Sequence, residues 1–136
     1  MSATQPSVRR SVSARWTGGL RAEVDAGGFA LVADEPEAFG GTGSGPQPTE
    51  LLLASIASCF TLAVAYSAAK RGVTVDGLTV DVTGTYDGPR FRAFRIEVRA
   101  TRPDGAALDR LVETAKRVCY VTRTLAEPPE IEFVVG

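Results

Sequence analysis

Three short segments near the start of the chain alternate apolar and polar positions. In 11–16, Val12, Ala14 and Trp16 share one side. In 20–25, Leu20, Ala22 and Val24 alternate with Arg21, Glu23 and Asp25. In 29–33, Phe29, Leu31 and Ala33 alternate with Ala30 and Val32. A period of two over such lengths predicts half-buried strands, and Thr17-Gly18-Gly19 and Gly27-Gly28 supply the turns of an antiparallel meander. Residues 34–47 are rich in Gly, Pro, Asp, Glu, Thr and Ser and predict a long loop. The pattern then changes. Pro48 suits a first helical turn, Glu50 suits its positive end, and no charge occurs from 51 to 69 before Lys70-Arg71-Gly72 closes the run. Such a run raises the question of a membrane span. It is rich in Ala, Ser, Thr and Cys rather than Leu and Ile, and strands on both sides need a core partner, so a helix apolar all round is expected to be the buried centre of a soluble domain.

The second half repeats the logic. Leu78, Val80 and Val82 alternate with Thr79, Asp81 and Thr83, Asp87-Gly88-Pro89 turns the chain, and a return strand over 91–101 slips phase between Ala93 and Phe94, which predicts a bulge there. Leu108, Leu111, Val112, Ala115 and Cys119 recur at helical spacing from about Asp104 onward. Pro128-Pro129 breaks the chain, and Ile131, Phe133 and Val135 alternate with Glu130 and Glu132 as a closing strand. The expected order is βββ-α-ββ-α-β, an α+β domain over 11–136 behind a flexible arm at 1–10. That arm lacks the apolar stretch of an export signal, and a cytoplasmic protein is expected.

Composition narrows the chemistry. The 136 residues suffice for one domain with a real core, and 15 Lys+Arg against 16 Asp+Glu leave a net charge of −1. Neither nucleic acid nor a membrane surface is therefore an expected partner. Arg90, Arg92, Arg95, Arg99 and Arg102 crowd one strand, and are read as a solvated face paired with Asp81 and Glu97. The glycines of the 34–47 loop lack the Lys-Ser/Thr of a phosphate loop. With no histidine, Ser-His-Asp and Cys-His systems and His-ligated metals are excluded. Two cysteines, Cys59 and Cys119, cannot form a four-Cys metal site, and no metal is expected. By pattern alone, each could be a small buried hydrophobe.

The stretch Pro48-Thr49-Glu50-Leu51-Leu52-Leu53-Ala54-Ser55-Ile56-Ala57-Ser58-Cys59-Phe60 resembles the signature of the OsmC/Ohr family, the osmotically inducible and organic-hydroperoxide-resistance proteins. The Gly40-Gly41 loop and the Thr-Arg-Thr-Leu that follows Cys119 are similar to that family too. The resemblance implies antiparallel sheets around a buried central helix in an intertwined homodimer, with sites at the subunit interface. It implies a thiol peroxidase in which Cys59 attacks an organic hydroperoxide and Cys119 resolves the sulfenic acid as a disulfide. An external dithiol, either a lipoylated protein or a small dithiol, would reduce that disulfide, with no bound cofactor.

A thiolate at neutral pH needs a nearby cation. In the hydroperoxide-resistance branch an Arg directly follows a Gly-Gly turn and is held by a Glu of the central helix. Here Leu20 follows Gly18-Gly19 and Arg21 comes one position later, on the opposite face of a regular strand, so Arg21 or Arg15 is the expected cation. Thr49 occupies the position matching that Glu, and Glu50 falls opposite Cys59 at about 3.6 residues per turn. The family's Cys-Pro is Cys119-Tyr120 here, and tyrosine lacks the fixed φ with which proline opens a helix. Thr49, Glu50, Phe39, Tyr66 and Tyr120 are candidate pocket residues, Tyr66 because it shares the helical face of Cys59. Phe39, Phe60 and Trp16 suit either a pocket wall or the core. Two other readings remain open: a non-catalytic dimer binding a small apolar ligand at its interface, and a fixed structural disulfide.

Overall fold

The computed structural model describes residues 8–136, so most of the expected arm lies outside the described residues. The chain divides into two compact units after Leu51. In the first, β1 (Val12–Trp16), β2 (Ala22–Ala26) and β3 (Phe29–Ala33) form an antiparallel meander in the order β1-β2-β3. Trp16 pairs with Ala22, and Ala26 pairs with Phe29 across the Gly27-Gly28 turn. Both turn glycines have positive φ, 63° and 86°, which an L-residue with a Cβ resists.

The loop that follows is built on one carboxylate. Asp34 is buried, and its Oδ2 accepts hydrogen bonds from Thr42 Oγ1 at 2.5 Å and Ser44 Oγ at 2.6 Å. The amides of Glu35, Thr42 and Ser44 also donate to it. A Cβ on Gly41 would lie 1.9 Å from the Glu35 carbonyl oxygen, so only glycine permits the fold-back. The loop delivers the chain to α1 (Pro48–Lys70), where the Glu50 carboxylate accepts the Gln47 amide at 2.9 Å and satisfies an open N-terminal donor.

In the second unit, one face of α1 packs with a hairpin and two helices. Strands β4 (Thr79–Asp87) and β5 (Arg90–Arg99) pair antiparallel, and α2 (Gly105–Val118) and α3 (Tyr120–Ala126) follow. Phe60, Ala63, Val64 and Ala68 of α1 meet Leu111 and Ala115 of α2 and Cys119, while Val80, Ile96 and Val98 pack against this cluster. The opposite face of α1, with Ala54, Ser58, Leu62, Ala65 and Tyr66, is exposed in the single chain.

The α+β class with antiparallel sheets agrees with the expected fold, and three details differ. The bulge falls at Arg92, the residue left over where Thr85 pairs with Ala93 and Tyr86 with Phe91. The second helix breaks at Cys119, whose extended backbone (φ −79°, ψ 107°) caps a new helix, so Tyr120 does open a helix without proline's constraint. Residues 127–136 carry no regular structure, and Ile131, Phe133 and Val135 are exposed. A strand at 131–135 needs a free edge to pair with, and among the described residues none pairs with it.

Candidate thiol site

Cys59 and Cys119 meet because their elements pack together. Cys59 sits on α1 at the border between its packed and open faces, one residue before buried Phe60. Cys119 sits at the break between α2 and α3 and is completely buried. Both are free thiols, and Cys59 packs against the buried cluster that contains Cys119. Their accessibility differs: Cys59 is half-buried and lines an open hollow of about 390 Å³, together with Leu62, Ala63, Tyr66, Val118 and Tyr120. The hollow is mostly apolar, and Lys70 stands 5.7 Å from the Tyr66 ring centroid.

The surroundings of Cys119 are set by the start of α3. Burial pushes its thiol up, since a thiolate is poorly solvated there. The Thr122 side chain and amide, the Cys59 thiol and the Val121 amide outweigh that effect and hold the Cys119 thiol below its ordinary value. Thr122 and Val121 were not among the sequence candidates. Their signal is the helix break itself, since the residue before a new helix faces its open amides.

Arg15 and Arg21 belong to the first unit, and each has a partner there. Arg21 precedes β2 behind Gly18 and Gly19, which both have positive φ. Its guanidinium donates to Glu23 at 2.9 Å, to Thr17 at 2.8 Å and to Ser44 at 3.2 Å. Arg15 reaches the other oxygen of Glu23 at 2.9 Å, from the strand position directly opposite it. The hydrogen bond from Arg21, followed by the charges of Arg15 and Arg21, holds the Glu23 carboxyl below the usual carboxylate range despite its desolvation. The carboxylate that holds Arg21 is thus Glu23, two residues along the same strand face, a spacing visible in the sequence.

The remaining candidates separate. Glu50 caps α1, and Thr49 lies in the first turn of that helix. Phe39, at the end of a 3-10 turn over Glu37–Phe39, is 70% exposed, and Trp16 is 74% exposed, so neither is core within the chain; Phe60 is. Among the described residues, no three acidic or cysteine side chains converge as a metal site.

The family model for OsmC-like protein matches residues 41–134, a span that includes both cysteines. No curated protein matches the chain. Among solved structures, the chain is similar to an OsmC-like protein from Mycoplasma pneumoniae (TM-score 0.75, 17% identity, covering 89% of each chain). It is also similar to an organic hydroperoxide resistance protein OsmC from Legionella pneumophila (TM-score 0.69, 20% identity, covering 90% of this chain and 93% of that one). A third is the organic hydroperoxide resistance protein OhrB of Bacillus subtilis (TM-score 0.60, 23% identity, covering 88% and 93%). At these identities the structures speak for the fold, and the family match over most of the chain decides membership: the chain belongs to the OsmC-like protein family.

Proposed function

We propose that the protein is a thiol-dependent peroxidase that reduces organic hydroperoxides. The observation that carries this reading is a half-open Cys59 that lines an apolar hollow and packs against the buried cluster holding a sealed Cys119. The names of the Legionella and Bacillus neighbours point the same way.

The Cys59 thiolate attacks the distal peroxide oxygen. The O–O bond breaks, the alkoxide leaves with a proton as an alcohol, and Cys59 becomes a sulfenic acid. The Cys119 thiolate then attacks the Cys59 sulfur, the hydroxyl leaves as water on taking up a proton, and a Cys59–Cys119 disulfide forms. An external dithiol supplies two electrons by thiol–disulfide exchange and restores both thiols. In this cycle, the lowered proton affinity of Cys119 favours its thiolate and so favours resolution. Arg21, anchored by Glu23, Thr17 and Ser44, is the proposed cation for Cys59, with Arg15 steadying the same carboxylate. The steps as written call on no metal or bound cofactor. Two free thiols also suit a reducing cytoplasm.

The proposed working form is a homodimer. The open face of α1, Trp16 and Phe29 of the first sheet, and Ile131 and Phe133 are exposed apolar groups that an interface between two copies would cover. Following thiol loss in reduced protein mixed with an alkyl hydroperoxide tests the reading. Loss at both cysteines supports it, and inert thiols would leave the hollow as a ligand site only.

A further inference from the structure

The arginines of β5 do not behave alike. Arg99 is paired with Asp81 and Glu97, and Arg102, beyond the end of the strand, with Asp76. The side chains of Arg90 and Arg92 have no hydrogen bond or ion pair among the described residues, and both line one cavity of about 580 Å³. The β-bulge explains why two arginines so close in sequence sit at the same rim. Arg92 is the unpaired extra residue, and the slip returns Phe91 to the face of Phe94, where the rings lie 5.1 Å apart. Apart from Thr122, the rest of the lining is apolar, chiefly Phe91, Phe94 and Ile96 from β5, Ile56 from α1 and Leu125 from α3. No carboxylate lines it among the described residues. It is also separate from the Cys59 hollow, since the two share no lining residue.

We infer that this cavity binds a single-chain amphiphile with a carboxylate head, such as a medium-chain alkyl carboxylate. The volume falls in the range of small-molecule sites, which combine an apolar lining with a few convergent polar groups. Guanidinium forks match a carboxylate in geometry as well as charge. Exposed arginines alone hold a carboxylate weakly in water, so the head fixes orientation and the alkyl tail, leaving water for the Phe94–Ile56–Leu125 floor, supplies the affinity. No cysteine lines the cavity, and the inferred binding requires no reaction at either thiol.

Calorimetric titration of the full chain with decanoate, below its micellar concentration, is the test. Decanol carries the same tail without the charge, and Arg90→Gln/Arg92→Gln removes the charge from the protein at exposed positions. Saturable decanoate binding is expected, about tenfold weaker in the double variant and about tenfold weaker for decanol. Added salt is expected to weaken decanoate binding and leave decanol unchanged. The salt and decanol arms use the unaltered protein and stand even where the variant folds poorly. Absence of saturable decanoate binding, equal affinity for decanoate and decanol, or unchanged affinity in a folded double variant overturns the inference.

Discussion

Cys59 packs against the buried cluster that holds Cys119, where α1 meets the α2–α3 break, and of the two cysteines Cys119 is the one sealed from solvent. The proposed roles follow this difference in accessibility: in the proposed cycle a peroxide entering the hollow meets Cys59 first, and Cys119 is left to a group already inside the protein.

Removing the resolving thiol should separate the two steps. Cys119→Ser is expected to retain the first attack and stop at a Cys59 sulfenic acid, which a sulfenic-acid-specific nucleophile traps for mass spectrometry. Multiple turnover with a dithiol should fall by about tenfold or more, because resolution now waits for a bimolecular collision. A Cys119→Ser protein that never yields a trapped sulfenate speaks against this order of events.

The position of Thr122 gives a prediction about pH. Its side chain and amide are the largest of the influences that keep the Cys119 thiol below its ordinary value. A lowered thiol value means that the thiolate persists to lower pH, so Thr122→Val, which keeps the shape and loses the hydroxyl, should move the midpoint of Cys119 alkylation to higher pH. The measurement is alkylation rate against pH with Cys59→Ser as the shared background. An unchanged midpoint removes Thr122 from the account.

A second pH effect belongs to Asp34. The Ser44 and Thr42 hydroxyls, and then the Ser44 and Glu35 amides, hold its carboxyl well below the usual carboxylate range against the opposing effect of burial. Its folded value lies below the unfolded value of about 3.9, so the stabilisation is complete above that pH and is lost as pH falls through the folded value. Asp34→Asn should be less stable at neutral pH and should lose stability less steeply than the parent below about pH 4. Melting temperature against pH reads both. Parallel curves would contradict the role of Asp34 as the anchor of its loop.

The open face of α1 predicts association. Leu62, 69% exposed in the single chain, lies at its middle. Leu62→Arg should shift the species seen by light scattering from dimer to monomer, since a buried interface does not accept an unpaired guanidinium. A parent protein that is monomeric at all concentrations rules out the proposed homodimer.

Much of the fold was legible because its signals are local. Alternation located β1, β3 and β4, glycine pairs located the turns, and the uncharged run with Pro48 and Lys70 bounded α1 within a residue or two. What escaped depended on partners distant in sequence. Nothing around Tyr120 announces a helix start, because the break at Cys119 is imposed by packing rather than by a proline. The alternation at 131–135 marks a segment suited to a strand, but a strand exists only where an edge accepts it. In the site, the cysteines and Tyr66 could be read from spacing on α1 and from family resemblance. Glu23 as the holder of Arg21, and Thr122 beside Cys119, follow from strand register and helix capping, which composition does not reveal.

The central claim is that Cys59 reduces a hydroperoxide and Cys119 closes the cycle. Its most direct test is to mix reduced protein with one equivalent of an alkyl hydroperoxide and map the product by peptide mass spectrometry, with Cys59→Ser alongside. The account predicts alcohol formed in step with a Cys59–Cys119 disulfide that a dithiol reopens, and a fall in rate of about three orders of magnitude in Cys59→Ser. Unreacted thiols in the parent protein, or peroxide consumption at the parent rate by Cys59→Ser, would contradict it.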